Sequence, residues 1–159
     1  MNTEIAPKSL DWQQQLRLPF EPEQVRWRVQ GKAAPNSRAQ VLAYLDARDV
    51  QDRLDSVVGA ENWSFTWTPV VTNEKALLVA KGTLAIYAVD KEDVGDASNW
   101  EGNKGTVSDA LKRAGVMWGI GRYLYNLPDV WITLDAAGNM SEATLKSLQA
   151  SLARKFSVA

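Results

Sequence analysis

The sequence predicts an α+β domain in which an antiparallel sheet of about three to four strands packs on one long amphipathic helix. Residues 24–30 and 62–71 alternate between apolar and polar side chains, which is typical of half-buried strands. Residues 104–124 instead repeat their apolar positions with a helical period. A chain of 159 residues with 45% hydrophobic content is long enough to bury one core.

The predicted elements begin with a short amphipathic helix over residues 8–17, which Pro19 ends. Residues 24–30 then form a strand with one apolar and one cationic face. After a stretch rich in turn residues, residues 39–45 form a second strand.

The middle of the chain predicts a helix and a hairpin. Asp46 has the side chain of a helix cap, and Gly59 is suited to end that helix. The helix would bury one apolar face, formed by Val50, Leu54 and Val57. Residues 62–71 and 76–90 are predicted to pair as a hairpin, followed by an acidic loop over residues 90–101.

The last third of the chain predicts the long helix over residues 104–124, with Asn103 as its cap. A short strand over residues 130–134 and a final helix over residues 141–156 complete the domain. There is no repeat and no linker, which favours one α+β unit.

Composition excludes several kinds of chemistry. The chain has no cysteine and no histidine, so disulfides, thiolate nucleophiles, Cys/His zinc sites and histidine catalysis are excluded. It has no apolar run of about 18 residues and no Gly-Lys-Ser/Thr phosphate loop. We therefore expect a cytoplasmic protein with no cofactor, no small-molecule substrate and no membrane contact.

The net charge of −1 is the sum of separated blocks. Residues 24–45 carry four cations and no acid, and residues 104–122 carry four cations and one acid. Acidic residues dominate at 46–61 and 90–101. A basic footprint for nucleic acid is therefore absent from the whole chain but present locally. Solvated surface faces are the alternative explanation for each block.

Small and cationic residues share one side of the predicted long helix. At about 100° per residue, an arc of about 80° contains Lys104, Ser108, Lys112, Gly115, Gly119 and Arg122. Such a stripe lets a phosphate backbone approach closely while the cations supply charge. Close packing against another element is the alternative explanation for its glycines. Arg113 lies opposite the stripe in an ideal helix.

The segment KGTVSDALKRAGVMWGIGRYLYN at residues 104–126 resembles the hallmark helix of the Rad-type recombination mediators, which bind and anneal single-stranded DNA. The EDVGDA segment at 92–97 is similar to the turn before that helix, and residues 43–65 fit the family's order of elements. The resemblance covers about residues 20–127. It implies a compact α+β core that assembles into a ring, with single-stranded DNA in a positively charged groove on the outside.

The resemblance also implies which residues contact DNA. The basic pair of the hallmark helix falls at Lys112 and Arg113, and the basic residue at its start falls at Lys104. The family match also includes Arg28 on the first strand and Tyr44 on the second, and the helix stripe includes Arg122. The predicted DNA-binding residues are therefore Arg28, Tyr44, Lys104, Lys112, Arg113 and Arg122.

One position departs from the family. Where its annealing branch has an arginine one turn after the basic pair, this chain has Val116. The change removes one cation from the phosphate groove. The resemblance therefore implies DNA binding more firmly than strand annealing.

We expect from this resemblance a ring-forming, nucleoid-associated protein that binds and protects single-stranded DNA ends and assists annealing in double-strand-break repair. Residues 1–19 would form an N-terminal arm in subunit contacts, and residues 20–159 the single DNA-binding core domain. Neither enzymatic activity nor a metal site is expected.

Two other functions stay open at this point. A carboxylate-metal nuclease would hold Mg²⁺, which accepts oxygen ligands, with Asp90, Glu92, Asp93 and Asp96. A non-catalytic protein-interaction module would use the tryptophans that the strand and helix patterns leave free, which are Trp12, Trp100 and Trp131. The tryptophans predicted to lie in the core are Trp63, Trp67 and Trp118.

Overall fold

The computed structural model describes residues 11–97 and 102–156 and confirms the α+β class. In chain order its strands are β1 (Arg26–Val29), β2 (Arg38–Tyr44), β3 (Trp63–Thr72), β4 (Leu77–Ile86), β5 (Val89–Asp96) and β6 (Val130–Thr133). They form two three-stranded antiparallel sheets, β1-β2-β6 and β3-β4-β5, and not the single sheet that we predicted.

The described residues include four α-helices: α1 (Trp12–Leu16), α2 (Ala47–Val58), α3 (Gly102–Met117) and α4 (Glu142–Phe156). None of them is long and apolar enough to cross a bilayer. The cap at Asp46 is confirmed, because its carboxylate accepts the amide of Arg48 at 3.0 Å. The predicted first helix is confirmed over 12–16, and its first three residues lie outside the described part of the chain.

The prediction of a long strand at 76–90 followed by an acidic loop is wrong. The chain reverses at Tyr87 and Ala88, so the acidic residues form β5, which pairs with β4 from Val89 onward. Tyr87 has a φ of 54°, a value that bulky residues rarely adopt. Neither of the two turn residues is Gly or Asn, the residues that usually indicate a two-residue hairpin in a sequence. The last residues of the predicted loop, 98–101, lie outside the described residues.

The predicted helix over 104–124 ends at Met117 instead. Gly119 has a φ of 96°, and its amide donates to the carbonyl of Val116 at 2.9 Å while the next amide reaches back five residues at 3.1 Å. This pair of bonds is the Schellman pattern that closes helices. A 3-10 segment follows at Arg122–Asn126, so the cationic stripe of one continuous helix extends only to Gly115.

Helix α3 lies on the second sheet and is tied to β4 at both ends. Asn103, which we predicted as a cap, lies inside the helix, and its side-chain oxygen accepts the amide of Leu77 at 2.7 Å. The hydroxyl of Thr106 donates to the carbonyl of Leu77 at 3.0 Å. Beyond the last turn, the indole of Trp118 donates to the carbonyl of Leu84 at 3.1 Å.

Helix α3 and the sheet approach each other closely at Gly95 of β5. A Cβ at this position would overlap the backbone nitrogen of Ala110 and lie 2.6 Å from the carbonyl oxygen of Thr106. On β4, a Cβ at Gly82 would lie 2.7 Å from the ring of Phe65. Strand positions without side chains therefore set how deeply α3 lies on the sheet.

The apolar core has two main parts among the described residues. The larger part joins α1, α2, α3 and the second sheet, and the smaller lies between the first sheet and α4. Helix α2 buries Val50, Leu54 and Val58, whereas Val57 is only half-buried. The core placement of Trp118 is confirmed and Trp63 is half-buried, but Trp67 is 46% exposed and its predicted core position is wrong.

Arg53 of α2 holds the N-terminal segment. Its guanidinium donates to four carbonyls, those of Gln15, Leu16, Leu18 and Pro19, at 2.8–3.4 Å. It also lies 3.9 Å from the ring centroid of Phe20. Burial lowers the pKa of Arg53, but an arginine stays charged in proteins. Residues 12–16 thus pack on their own subunit, and a role of residues 1–19 between subunits remains a prediction.

We expect Gly95→Ala to destabilise the fold strongly, because the new methyl group would meet helix backbone, which cannot turn aside as a side chain can. Overpacking of this kind costs about 3 kcal/mol or more, which lowers the Tm of a chain of this size by roughly 6–12 °C. Thermal unfolding followed by circular dichroism measures the effect. Gly115→Ala is the matched control, since its methyl would meet only side chains, those of Val50 at 3.2 Å and Ile120 at 3.8 Å. Equal melting temperatures for the two variants would contradict this account of the helix position.

Candidate nucleic-acid interface

Tyr44, the last residue of β2, has two cations close to its ring. The guanidinium carbon of Arg28 lies 5.9 Å from the ring centroid, and the Nζ atom of Lys112 lies 5.5 Å from it. The tyrosine is still 36% exposed. Three of the predicted DNA-binding residues, which come from two strands and a helix, therefore lie together at one point on the surface.

Strand register explains how Arg28 reaches Tyr44. In the antiparallel pair β1-β2, Arg28 lies opposite Leu42, two residues before Tyr44 on the same strand. Paired residues, and residues two apart on one strand, share a face of the sheet. The opposite face buries Val41 and Leu45. The cationic face predicted for the first strand is therefore confirmed, and strand pairing brings its Arg28 beside the ring of Tyr44.

Lys104 lies on the same side of α3 as Lys112, eight residues earlier, which is about 12 Å along the helix axis. It lines a cleft of about 820 Å³ between α3 and the β3-β4 hairpin, together with Trp67 and Lys75. A second cleft of about 560 Å³ runs along α3 past Ser108. The surface from Lys104 to Lys112 and on to Tyr44 is called the α3 groove below.

Arg113 points away from this groove. Its Nε atom lies 3.7 Å from a carboxylate oxygen of Asp93 on β5, and both side chains are partly exposed. An exposed ion pair of this kind contributes little to stability. The helix geometry thus separates the two members of the basic pair, with Lys112 beside Tyr44 and Arg113 beside the acidic strand.

Arg122 binds the end of α3. Its guanidinium donates to the carbonyl of Val116 through Nε at 2.9 Å and through Nη2 at 2.5 Å, and to the carbonyl of Met117 at 2.9 Å. The last carbonyls of a helix have no partner within it and carry partial negative charge. The structure therefore gives Arg122 a capping role, apart from the Tyr44 cluster.

The acidic residues of β5 are dispersed. Glu92 accepts hydrogen bonds from Lys81 at 3.2 Å and from Thr83 at 3.0 Å, and the hydrogen bond from Lys81 is the main cause that holds the pKa of Glu92 below its ordinary value. Asp93 faces Arg113 instead. In the described residues, no three acidic side chains come close enough to hold a metal ion. The nuclease alternative therefore finds no support in these strands.

The sequence reasoning missed one exposed pair on the first sheet. The Trp131 side chain on β6 is 52% exposed, and the guanidinium carbon of Arg38 lies 5.6 Å from its ring centroid. The sequence predicts this tryptophan only as free for protein contacts, and the predicted strand over 39–45 begins one residue after Arg38, where β2 starts. Of the other two free tryptophans, Trp12 packs on Tyr87 and Trp118, and Trp100 lies outside the described residues.

The site and the fold define a class of protein. This is an α+β domain that presents cations and exposed rings along an open groove, the combination by which non-enzymatic proteins hold a nucleic-acid strand. The chain belongs to the Rad52/22 family of double-strand break repair proteins, whose sequence profile matches residues 8–142. The family predicted from the hallmark helix is thereby confirmed.

This chain is also similar in sequence to two curated proteins. The single-stranded DNA-binding protein DdrA of Deinococcus deserti is 44% identical over 134 residues, which are 82% of this chain and 64% of that protein. The DdrA protein of Deinococcus radiodurans is 42% identical over 132 residues, with 82% and 62% covered. This chain thus spans somewhat less than two thirds of the length of each relative.

We expect Arg122→Ala to reduce the free energy of unfolding by about 1–2 kcal/mol, because two helix carbonyls lose a charged donor. Urea unfolding measures this loss. Lys104→Ala is the control, since that exposed side chain should change stability by no more than about 0.5 kcal/mol. Unchanged stability of the Arg122 variant would show that its guanidinium is available for another partner.

Proposed function

We propose that this chain binds single-stranded DNA along the α3 groove and acts in double-strand-break repair by holding and protecting DNA ends, without catalysis. The cluster of Arg28, Tyr44 and Lys112 carries the proposal, because it pairs an exposed ring with two cations that form no salt bridge within the described part of the chain. Family membership and the names of the two DdrA relatives support it.

The chemistry of the groove fits a strand bound without regard to sequence. Lys104, Lys112 and Arg28 would neutralise phosphates, which releases counterions and makes affinity fall with salt. Tyr44 would stack on a base, a contact that is worth about 1–3 kcal/mol and that every base can make. Because none of these groups reads base edges, the site would bind any single strand.

The groove supports binding more strongly than annealing. Val116 follows Lys112 by one turn and is half-buried, so the helix supplies no further cation in that direction. An annealing protein must hold a strand while its bases meet a second one. With fewer phosphate contacts, we infer that end protection is the main activity and that assistance to annealing is secondary.

Assembly into a ring would compensate for the weakness of one subunit. A single chain has a net charge of −1 and offers only a few phosphate contacts. A ring aligns one groove per subunit along the same strand, so that many weak contacts add through effective concentration. The apolar side chains that one subunit leaves exposed on the second sheet support assembly; they are Trp67, Val70, Val71, Val89 and Val94.

We expect Lys112→Ala to weaken binding of oligo-dT at least about tenfold, because a charge-assisted contact is lost beside Tyr44. The slope of log affinity against log salt should also become shallower by about 0.7 for each bound subunit. Fluorescence anisotropy across a salt series measures both quantities.

Arg113→Ala is the matched control for this measurement. It removes one charge from the neighbouring position of the same helix, but on the side that faces Asp93. Its affinity should stay within about threefold of the wild type, which is less than one charged hydrogen bond contributes. Equal losses in the two variants, or normal binding by the Lys112 variant, would contradict the position of the groove.

Assembly and affinity should be linked. Val70→Asp combined with Val71→Asp places two charges on exposed apolar positions of β3 and should yield a smaller species in sedimentation. That species should lose tight binding to long oligonucleotides and keep its weak binding to short ones. The same charges at Ala136 and Ala137, in an exposed turn, serve as the control. A folded monomer that binds long oligonucleotides as tightly as the wild type would overturn the role of assembly.

A further inference from the structure

We propose that a single strand bound at Tyr44 continues across the outward face of the β1-β2-β6 sheet, where Trp131 stacks on a second base and Arg38 contacts phosphate. The inference rests on the proposed function and adds to it a second subsite on the sheet. Its basis is the register of the three strands and a repeated pairing of arginine with an exposed aromatic ring.

Strand register assigns the face. On β2, Arg38, Gln40, Leu42 and Tyr44 alternate with Ala39 and Val41, which are buried. Arg26 pairs with Tyr44 across β1, and Trp131 pairs with Gln40 across β6. Because paired residues share a face, the outward face carries Arg26, Arg28, Arg38, Gln40, Tyr44 and Trp131.

Two pairs on this face have the same composition. Arg28 lies 5.9 Å from the ring centroid of Tyr44, and Arg38 lies 5.6 Å from that of Trp131. Both arginines are exposed, and both rings keep a third or more of their surface in solvent. A ring that offers a face to a base, next to a cation that offers charge to a phosphate, is the unit by which proteins hold single strands.

The spacing of the two rings suits consecutive parts of one strand. Gln40 precedes Tyr44 by four residues on β2, which is about 14 Å at the rise of an antiparallel strand. Trp131 lies opposite Gln40 on the neighbouring strand, about 5 Å to the side. The two rings are therefore roughly 14 Å apart, close to the 12 Å that separate Lys104 and Lys112 on α3.

Charge favours nucleic acid as the occupant of this face. The three strands carry Arg26, Arg28 and Arg38 and no acidic residue. The carboxylate of Asp129, just before β6, accepts a hydrogen bond from Gln40 at 2.9 Å. Three like charges on one face repel a second copy of the same face and attract a polyanion, and the face is continuous with the Lys112 cluster through Arg28 and Tyr44.

The test compares Trp131→Ala with the wild type on a series of oligo-dT lengths. The variant should bind the longer oligonucleotides about 5- to 150-fold more weakly, the range expected for loss of one stacked base, and should occlude fewer nucleotides per subunit. Oligonucleotides too short to extend past Tyr44 should bind as before. Trp131→Phe should restore most of the loss, because the ring is kept.

Tyr125→Ala is the matched control, since this tyrosine is 68% exposed but lies on the 3-10 segment after α3. The Tyr125→Ala variant should bind oligo-dT of every length with the affinity of the wild type. Arg38→Ala is the second variant and does not depend on β6: it should lower the salt slope by about 0.7 for each bound subunit and weaken only the longer oligonucleotides.

The outcomes separate this inference from the proposed function. If Lys112→Ala loses binding while the Trp131 and Arg38 variants bind every length normally, the sheet subsite is refuted and the groove stands. If the Trp131 variant changes the mass of the assembly but not the occluded length, the face is a subunit contact and the inference is also refuted. Failure of the wild type to bind any oligo-dT refutes both proposals.

Discussion

The close contact between α3 and the second sheet at Gly95 is the constraint on which the candidate site depends. Helix backbone lies where a Cβ of residue 95 would be, which fixes the depth of the helix on the sheet. The backbone amide and carbonyl of Leu77 are hydrogen-bonded to the side chains of Asn103 and Thr106, which fixes its rotation. That rotation buries Ala110 and Ala114. It sends Lys112 toward Tyr44 on the first sheet and Arg113 toward Asp93 on the second. A helix displaced by the thickness of one side chain would break both contacts, since each involves only the end of a long side chain.

The same helix divides the charges of the molecule. On one side lies β5, where Lys81 pairs with Glu92 and Arg113 pairs with Asp93, and on the other lies the first sheet with its arginines. These ion pairs are exposed and contribute little to stability, but they hold two carboxylates of β5 against cations of β4 and α3. Among residues 11–97 and 102–156, no carboxylate forms an ion pair with the cations around Tyr44. This segregation explains how a chain with a net charge of −1 presents a locally positive surface, which the total charge conceals.

Sequence patterns predicted the parts of this fold that depend on neighbouring residues. The alternation around Val25 and Trp27 gave β1, and the cap at Asp46 gave the start of α2, because both signals act within a few residues. The predicted end of α3 was wrong, although Gly119 is a residue suited to the left-handed position of a Schellman closure. Because the predicted helix continued past Gly119, it included Arg122 in the cationic stripe, whereas the structure has Arg122 at the helix cap. The hairpin at Tyr87 was not readable, because its turn has no Gly or Asn. The separation into two sheets and the contact of Lys112 with Tyr44 arise only when strands distant in the chain pair, as β2 and β6 do.

Val116 and the arginines of the first sheet together determine where the positive surface continues beyond Lys112. A strand that follows α3 from Lys104 meets its last helical cation on this side at Lys112, because the next turn offers a half-buried valine and Arg122 binds the helix end. Lys112 lies beside the ring of Tyr44, and the same ring has Arg28 beside it; both of these residues are already on the sheet. Positive charge therefore continues across β1 and β2 and not farther along the helix. A strand bound as we propose would therefore leave α3 at Tyr44 and turn onto the sheet, because the turn after Lys112 offers a valine and no cation.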